Sequence, residues 1–285
     1  MQTPSCLVCG ANNWQLLYDQ LLLKCSNCGF VTANMEVDQA QLDEVYTENY
    51  FKGEEYLDYL EDQEVQRLNF QDRIKGFKKV VGKHEPKNIL EIGCAYGLFG
   101  DEAKKEWPKA HYTGFDVVEE AIDHAQKDLG LNAINQDYLS ESMSQAHDAV
   151  FMWDVIEHLQ FPEKFLAKIS SEMETGGALC ITTGDIDALV PKLQGRKWRM
   201  IHPPSHLHYF SKKSIEKLLN AHGFELIRCS YPSISRSVRL IFFGLFMLNR
   251  NPPKWVSKLH NTIPSRWRVG INTYDILFVI AKKKS

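Results

Sequence analysis

From Asn88 onward the chain alternates short apolar runs with longer stretches whose apolar residues recur every three or four positions. NILEIG, HYTGFDV, AVFMWDV and GGALCITT have the length and composition of buried strands, and a third strand should end within INQDYL. LFGDEAKKEW, VEEAIDHAQKDL and PEKFLAKISSEM, lying between them, read as helices. Strands alternating with helices of this length predict a parallel sheet of right-handed βαβ units. SKKSIEKLLNAHGF predicts a further helix, capped by Ser211 and stopped at Gly223, leading into the strand ELIRCS. YDILFVIAKK is the last strand. Residues 231–270, between those two strands, hold seven basic side chains and no acidic one. So long a connection inside a compact domain is usually functional.

The pattern upstream is different. Residues 34–72 carry 12 acidic and two basic side chains, with Tyr56, Tyr59, Leu60 and Leu68 at roughly helical spacing. They predict one or two amphipathic helices with a solvated acidic face. Cys6-x2-Cys9 and Cys25-x2-Cys28 come first, each pair followed by a glycine, Gly10 and Gly29. Two such knuckles supply four thiolates to one tetrahedral ion, the arrangement of a structural zinc ribbon. Four thiolates leave no open coordination position, so this metal is structural. Cys94, Cys180 and Cys229 lack the spacing and read as small buried hydrophobes.

Composition sets the outer limits. The 285 residues are 44% apolar and 24% charged, with a net charge of -3, ordinary for a soluble globular protein. No basic excess points to a protein that coats nucleic acid. MQTPSCLVCG shows no charged segment followed by an apolar one, so no signal peptide is expected, and the longest apolar run, LIFFGLFML, is too short to span a bilayer. The expectation is a soluble, cytoplasmic protein.

The chemistry gathers at strand ends. Glu91-Ile92-Gly93-Cys94-Ala95-Tyr96-Gly97 ends a strand and opens a helix, which lets the backbone approach a ligand closely. Asp116 closes the second strand, where an α/β nucleotide fold places a carboxylate for ribose hydroxyls. Asp137 stands at the end of the third, placed to accept from an exocyclic amine.

In the order LEIGCAYG, GFD, NQDY, FMWDVIEHL, GGALCITT, the sequence resembles a class I S-adenosylmethionine-dependent methyltransferase. It is most similar to the small-molecule group that includes ubiquinone-biosynthesis O-methyltransferases, and HLHYFSKKSIEKLLNAHGF resembles that group's C-terminal half. The four-cysteine motif resembles sugar and natural-product methyltransferases. The chain departs from the family's G-x-G-x-G by having Ala95 at the middle glycine. The resemblance implies a Rossmann-like, doubly wound, mostly parallel sheet with an antiparallel last strand. The expected division is a ribbon over 1–32, a helical linker or lid over 33–82 and a catalytic domain over 83–285 with an insert at 231–270.

It also implies roles. Gly93, Ala95 and Gly97 would pass under the methionine part and the ribose, and Glu91 would brace the turn or the cofactor's amino end. Asp116, with Val117 beside it, would bind the ribose hydroxyls, and Asp137 with the Tyr138 backbone would hold adenine. Trp153 and Asp154 would flank the cofactor and face the substrate. Asp154, Glu157 and His158 match a pattern for a second, divalent ion, with Asp154 and His158 on one face if a helix turn starts there.

A hydroxyl acceptor calls for a general base, and the candidates are His158, His206 and His208. If 206–208 is extended, His206 and His208 point oppositely and only one reaches the pocket. Arg196, Lys197, Trp198 and Arg199 form a loop that either clamps an anionic or ring-shaped substrate or is simply solvated. Three readings stand for 236–250: a substrate cap, a contact with an anionic membrane surface, or a helix packed on the sheet with its positive flanks toward the acidic helices.

The resulting expectation is methyl transfer to a sugar, a nucleotide-linked sugar or a secondary-metabolite intermediate, with oxygen favoured over carbon. The ribbon and the helices after it are expected to form a substrate lid. The alternatives are a lipid-quinone methyltransferase at a membrane surface, and an RNA or protein methyltransferase using the ribbon for recognition. The single basic residue of the ribbon, Lys24, weighs against phosphate contact there, so no nucleic-acid partner is expected.

Overall fold

The computed structural model describes residues 5–37, 60, 62–82, 85–143, 145–247, 252–264 and 267–284. Most of the acidic segment, including Tyr56 and Tyr59, lies outside them. Three short strands come first: β1 (Trp14–Leu17), β2 (Leu22–Cys25) and β3 (Val31–Ala33), paired antiparallel in that order. Helix α1 (Gln63–Val81) follows and runs well past the expected boundary at residue 72. Then come β4 (Asn88–Ile92), α2 (Leu98–Glu106), β5 (His111–Asp116), α3 (Glu119–Lys127), β6 (Ala133–Asn135), β7 (His147–Trp153), α4 (Pro162–Glu172) and β8 (Met173–Gly184). The chain continues through α5 (Leu189–Gln194), β9 (His208–Tyr209), α6 (Lys212–Ala221), β10 (Phe224–Ser230), β11 (Ile234–Ser237), α7 (Val238–Phe246), α8 (Lys254–Thr262), β12 (Arg268–Ile271) and β13 (Ile276–Lys283).

The central sheet has the order β10-β13-β8-β7-β4-β5-β6. Strands β4 to β8 pair in parallel, and β13 runs antiparallel to both β8 and β10, as the resemblance implied. Every residue of β7 is buried, so its alternating side chains feed two cores. Phe151 and Trp153 meet Phe70 and Phe77 of α1 and Phe99 of α2 on one face. Val150 and Met152 join Leu166 and Ile169 of α4 on the other. Ser211 caps α6 as expected, its hydroxyl accepting from the Ser214 N–H.

The ribbon is stitched to this body. β3 pairs antiparallel with β9, setting Val31 opposite Tyr209 and Thr32 opposite His208. Cys6, Cys25, Cys28 and Phe30 share a core with Phe210, Val150 and Leu179. The expected lid is therefore corrected for its ribbon part: a shared sheet and a shared core make a fixed seam, where a lid needs a hinge. The insert is closed at its base by β11 paired with β12, and α7 packs on α8 and β11 rather than flat on the large sheet. Arg268 of β12, outside 236–250, pairs with Glu64 of α1. Among the described residues no helix is long and apolar enough to cross a membrane.

Candidate active site

The sheet reverses direction at β4, whose neighbours β5 and β7 lead to opposite edges, and the crevice beyond its carboxyl end is the natural ligand site. The turn there is built by left-handed residues: Gly93 has φ 74°, Ala95 φ 45° and Gly97 φ 78°. A Cβ on Gly97 would stand 2.6 Å from Leu131 Cδ1, and one on Gly93 would collide with Val155. Both positions thus require glycine for space as well as for φ. Ala95 holds its left-handed conformation at a cost of roughly 1–2 kcal/mol, and its N–H donates to Asp116 Oδ2 at 2.8 Å. The other Asp116 oxygen accepts from the Val118 N–H at 3.0 Å. Asp116 is fixed between two turns, and each oxygen retains a second acceptor position. Burial pushes its carboxyl above the usual range.

Glu91 lies beneath this turn, buried, and accepts from the Tyr112 hydroxyl. Burial, with Asp116 nearby, pushes it well above the ordinary carboxylate range. Val117 is exposed at the rim. Asp137 is exposed too, and its Oδ1 accepts from the Leu139 N–H at 2.9 Å, starting a single 3-10 turn. The Tyr138 ring faces inward, its hydroxyl donating to Glu172.

At the end of β7, the Trp153 ring packs among Phe70, Phe99 and Phe278. Its buried Nε1 has no hydrogen-bond partner among the described residues. Asp154 is left-handed at φ 56°, and its N–H donates to Thr182 Oγ1 at 3.0 Å. Arg73 of α1 lies over the Trp153 ring, 5.1 Å from its centroid, and donates to Asp154 Oδ2 at 3.1 Å. Sequence reasoning missed Arg73 because the acidic segment was closed one residue before it. The available signal was its position one helical turn after Phe70, which faces the core.

Glu157, His158 and His206 bring one donor atom each to within 4.8 Å of one another, all three buried. His158 Nδ1 lies 2.8 Å from the Ser205 carbonyl, and His206 Nδ1 2.9 Å from the Met200 carbonyl. A carbonyl only accepts, so Nδ1 carries the proton and Nε2 the lone pair in both rings. Burial pushes His158 down to about 4, and His206 lower still. Both are neutral at pH 7. The ring of His202 lies 3.9 Å from that of His206.

A family model described as a methyltransferase domain matches residues 62–228 of this chain. The chain belongs to the methyltransferase family. The mitochondrial ubiquinone biosynthesis O-methyltransferase of Dictyostelium discoideum is 29% identical over 134 residues, 39% of this methyltransferase and 41% of that protein. A malonyl-[acyl-carrier protein] O-methyltransferase of Anoxybacillus flavithermus is 27% identical over 109 residues, 37% and 41% of the two chains. These matches span about two fifths of the curated relatives' length. Magnesium protoporphyrin IX methyltransferase of Synechocystis PCC 6803, solved with S-adenosylhomocysteine, superposes with a TM-score of 0.54 at 14% identity, covering 87% of this chain and all of that one. A plantazolicin methyltransferase, also with S-adenosylhomocysteine, gives 0.53 at 16%, covering 87% and 99%. Those structures share the fold.

Two expectations about the methyltransferase's site residues need correction. Asp154 does not join Glu157 and His158 in a donor set, because no helix starts there and its left-handed backbone turns it to Arg73. The third donor is His206. Trp198 and Arg199 do not form a substrate clamp. Trp198 is buried, its Nε1 donating to Asp275 Oδ2 at 2.8 Å, and Arg199 is paired with the same carboxylate. His206 and His208 do face different surroundings: His208 Nδ1 lies 3.0 Å from Thr32 Oγ1 of the ribbon, and its ring packs near Phe30.

In the ribbon, Cys6 and Cys28 sulfurs are 3.6 Å apart, as are those of Cys9 and Cys25. Disulfide sulfurs would be about 2.05 Å apart. Four thiolates at about 2.3 Å from a tetrahedral zinc stand about 3.8 Å from one another, so the set fits the ion. Gly10 and Gly29, at φ 71° and 78°, let each knuckle close with an N–H bond back to the carbonyl of Cys6 or Cys25. Burial pushes the Cys28 thiol up to about 11, a penalty that a bound dication reverses.

Proposed function

We propose that this methyltransferase moves the methyl group of S-adenosylmethionine to a hydroxyl oxygen of a small molecule, of the sugar, nucleotide-linked sugar or secondary-metabolite class. The observation supporting this is the convergence of the glycine turn, Asp116 and the Trp153–Asp154 step on one crevice, at the carboxyl ends of β4, β5 and β7. Gly93, Ala95 and Gly97 would lie under the methionine and ribose, and Asp116 would accept from the ribose hydroxyls. Val117 stands beside Asp116, and Asp137 with the Tyr138 backbone would hold adenine. Glu91, held by Tyr112, braces the turn from below.

When bound, the sulfonium supplies an electrophilic methyl carbon, which the acceptor oxygen takes in line as the carbon–sulfur bond breaks. The chain aligns and dries this site. Trp153 walls it, and Arg73 fixes Asp154 at its acceptor side. As the oxygen–carbon bond forms, the acceptor's proton becomes acidic enough to pass to the Nε2 lone pair of His158, whose proton affinity burial has lowered. Glu157, His158 and His206 are also the residues that would hold a divalent ion, which would lower the pKa of an acceptor hydroxyl. The ribbon's four cysteines would hold zinc as a structural ion.

Calorimetry with S-adenosylhomocysteine tests the crevice. Asp116→Ala should lose about 1–3 kcal/mol of binding, from removal of acceptor bonds to buried hydroxyls. Asp116→Asn, which keeps one acceptor oxygen, should lose less. Equal affinity in wild type and both variants would remove Asp116 from the site.

A second reading, transfer to a lipid quinone at a membrane surface, is favoured by one feature of the insert. Trp255 and Leu259 share a face of α8 and are 67% and 47% exposed, flanked by Lys254 and Lys258. Flotation with anionic vesicles is the test: the protein rising with the lipid supports this reading, and its staying at the bottom removes it.

A further inference from the structure

The cations on α1 continue beyond Arg73. Lys75 and Lys79 of the same helix, with Arg228 and Ser230 of β10 and Phe278 of β13, line a cleft of about 300 Å³. Its floor is apolar and close-packed: a Cβ on Gly76 would sit 2.7 Å from the Phe278 ring, so glycine lets α1 approach β13. The lining holds four cations and one carboxylate, Asp72, which pairs with Lys75 at 2.8 Å. Among the described residues, Lys79 and Arg228 make no ion pair. In a chain of net charge -3 this is a local positive patch on an open cleft. Ser230 and Ser233 add hydroxyl donors. Arg73 lines the cleft and also touches Trp153 and Asp154, so a group seated here neighbours the residues at which transfer would occur.

We propose that this cleft seats a phosphoryl or pyrophosphoryl group of the acceptor; the proposal rests on the crevice being the methyl-transfer site. Several cations around one small volume match a multiply charged oxyanion better than a single carboxylate. Arginine presents a fork to its oxygens and lysine a point charge. The acceptor is thereby narrowed to phosphate-bearing molecules, among which a nucleotide-linked sugar carries the required diphosphate.

The test is calorimetry on the full chain with inorganic pyrophosphate, with UDP, and with benzoate as a carboxylate control, at low and moderate salt. Lys79→Glu combined with Arg228→Glu alters two exposed side chains, so folding should be unaffected. Pyrophosphate and UDP should bind the wild type in a salt-sensitive manner and at least about tenfold more weakly to the double variant. S-adenosylhomocysteine affinity should not change. No pyrophosphate binding, equal binding to the variant, or benzoate binding as tightly as pyrophosphate would each overturn the proposal. Failure of S-adenosylhomocysteine to bind the wild type would instead strike the reading of the crevice, and the two failures are separately visible.

Discussion

The four-cysteine centre and the Glu157–His158–His206 cluster both gather donor atoms within 4.8 Å of one another, but they are assembled in opposite ways. Each half of the cysteine centre comes from one tight turn closed by a glycine, and four thiolates there would fill the tetrahedral shell of a zinc ion. The second cluster has an adjacent pair after β7 and a third member delivered from the segment before β9. Three donors leave positions open for water or an acceptor. The two regions are also linked. Ala33 N–H donates to the Leu207 carbonyl at 2.8 Å, while Leu207 and His208 N–H groups both donate to the Glu157 carbonyl, at 2.9 and 3.0 Å. The ribbon thus holds β9, and β9 holds Glu157 and the segment carrying His206. If zinc closes the ribbon, the closed site would position the open one.

The largest effect should follow from breaking the closed site. Cys25→Ser should abolish stoichiometric zinc in metal analysis and lower Tm by roughly 10 °C, since loss of a structural metal is among the few changes worth about 4 kcal/mol or more. If the ribbon positions the cluster, methyl transfer should also fall by more than about tenfold, with S-adenosylhomocysteine affinity nearly unchanged, because Asp116 is held by the Ala95 and Val118 N–H groups. Full activity in a zinc-free, folded variant would separate the two regions and leave the ribbon as an independent module.

The contrast also explains what was legible in the sequence. The strands and helices from Asn88 to Gly184 follow from periodicity, since each is stabilised by its own buried face. The cysteine spacing and the E-x-G-x-x-x-G turn are local, and their geometry needs only neighbouring residues. His206 was visible as a histidine but not as the companion of Glu157, because backbone bonds from Leu207 and His208 to the Glu157 carbonyl bring them together and no short-range pattern encodes that. Arg73 was hidden for a similar reason: its partners Trp153 and Asp154, at and just past the end of β7, are distant in sequence. Trp198 and Arg199 looked like a clamp because their anchor, Asp275, is equally remote. Asp154 misled through backbone conformation, as a left-handed residue cannot begin the helical turn that the four-residue spacing assumed.

The smaller effect concerns the open site. If Glu157, His158 and His206 bind a divalent ion, Mn2+ titration followed by electron paramagnetic resonance should show one site in the wild type that EDTA empties while the ribbon's zinc remains. His206→Gln removes a neutral imidazole whose Nδ1 is already committed to the Met200 carbonyl. Mn2+ affinity should fall about 10–100-fold, while Tm should change by only a few degrees, since glutamine retains a donor for that carbonyl. This pairing of a large binding loss with a small stability loss is the reverse of the Cys25→Ser result, in which metal and fold are lost together. Equal Mn2+ binding in the two proteins, or none in the wild type, would leave the cluster as a pair of neutral bases. The difference between the regions would then be one of burial and hydrogen bonding, with metal on the ribbon side alone.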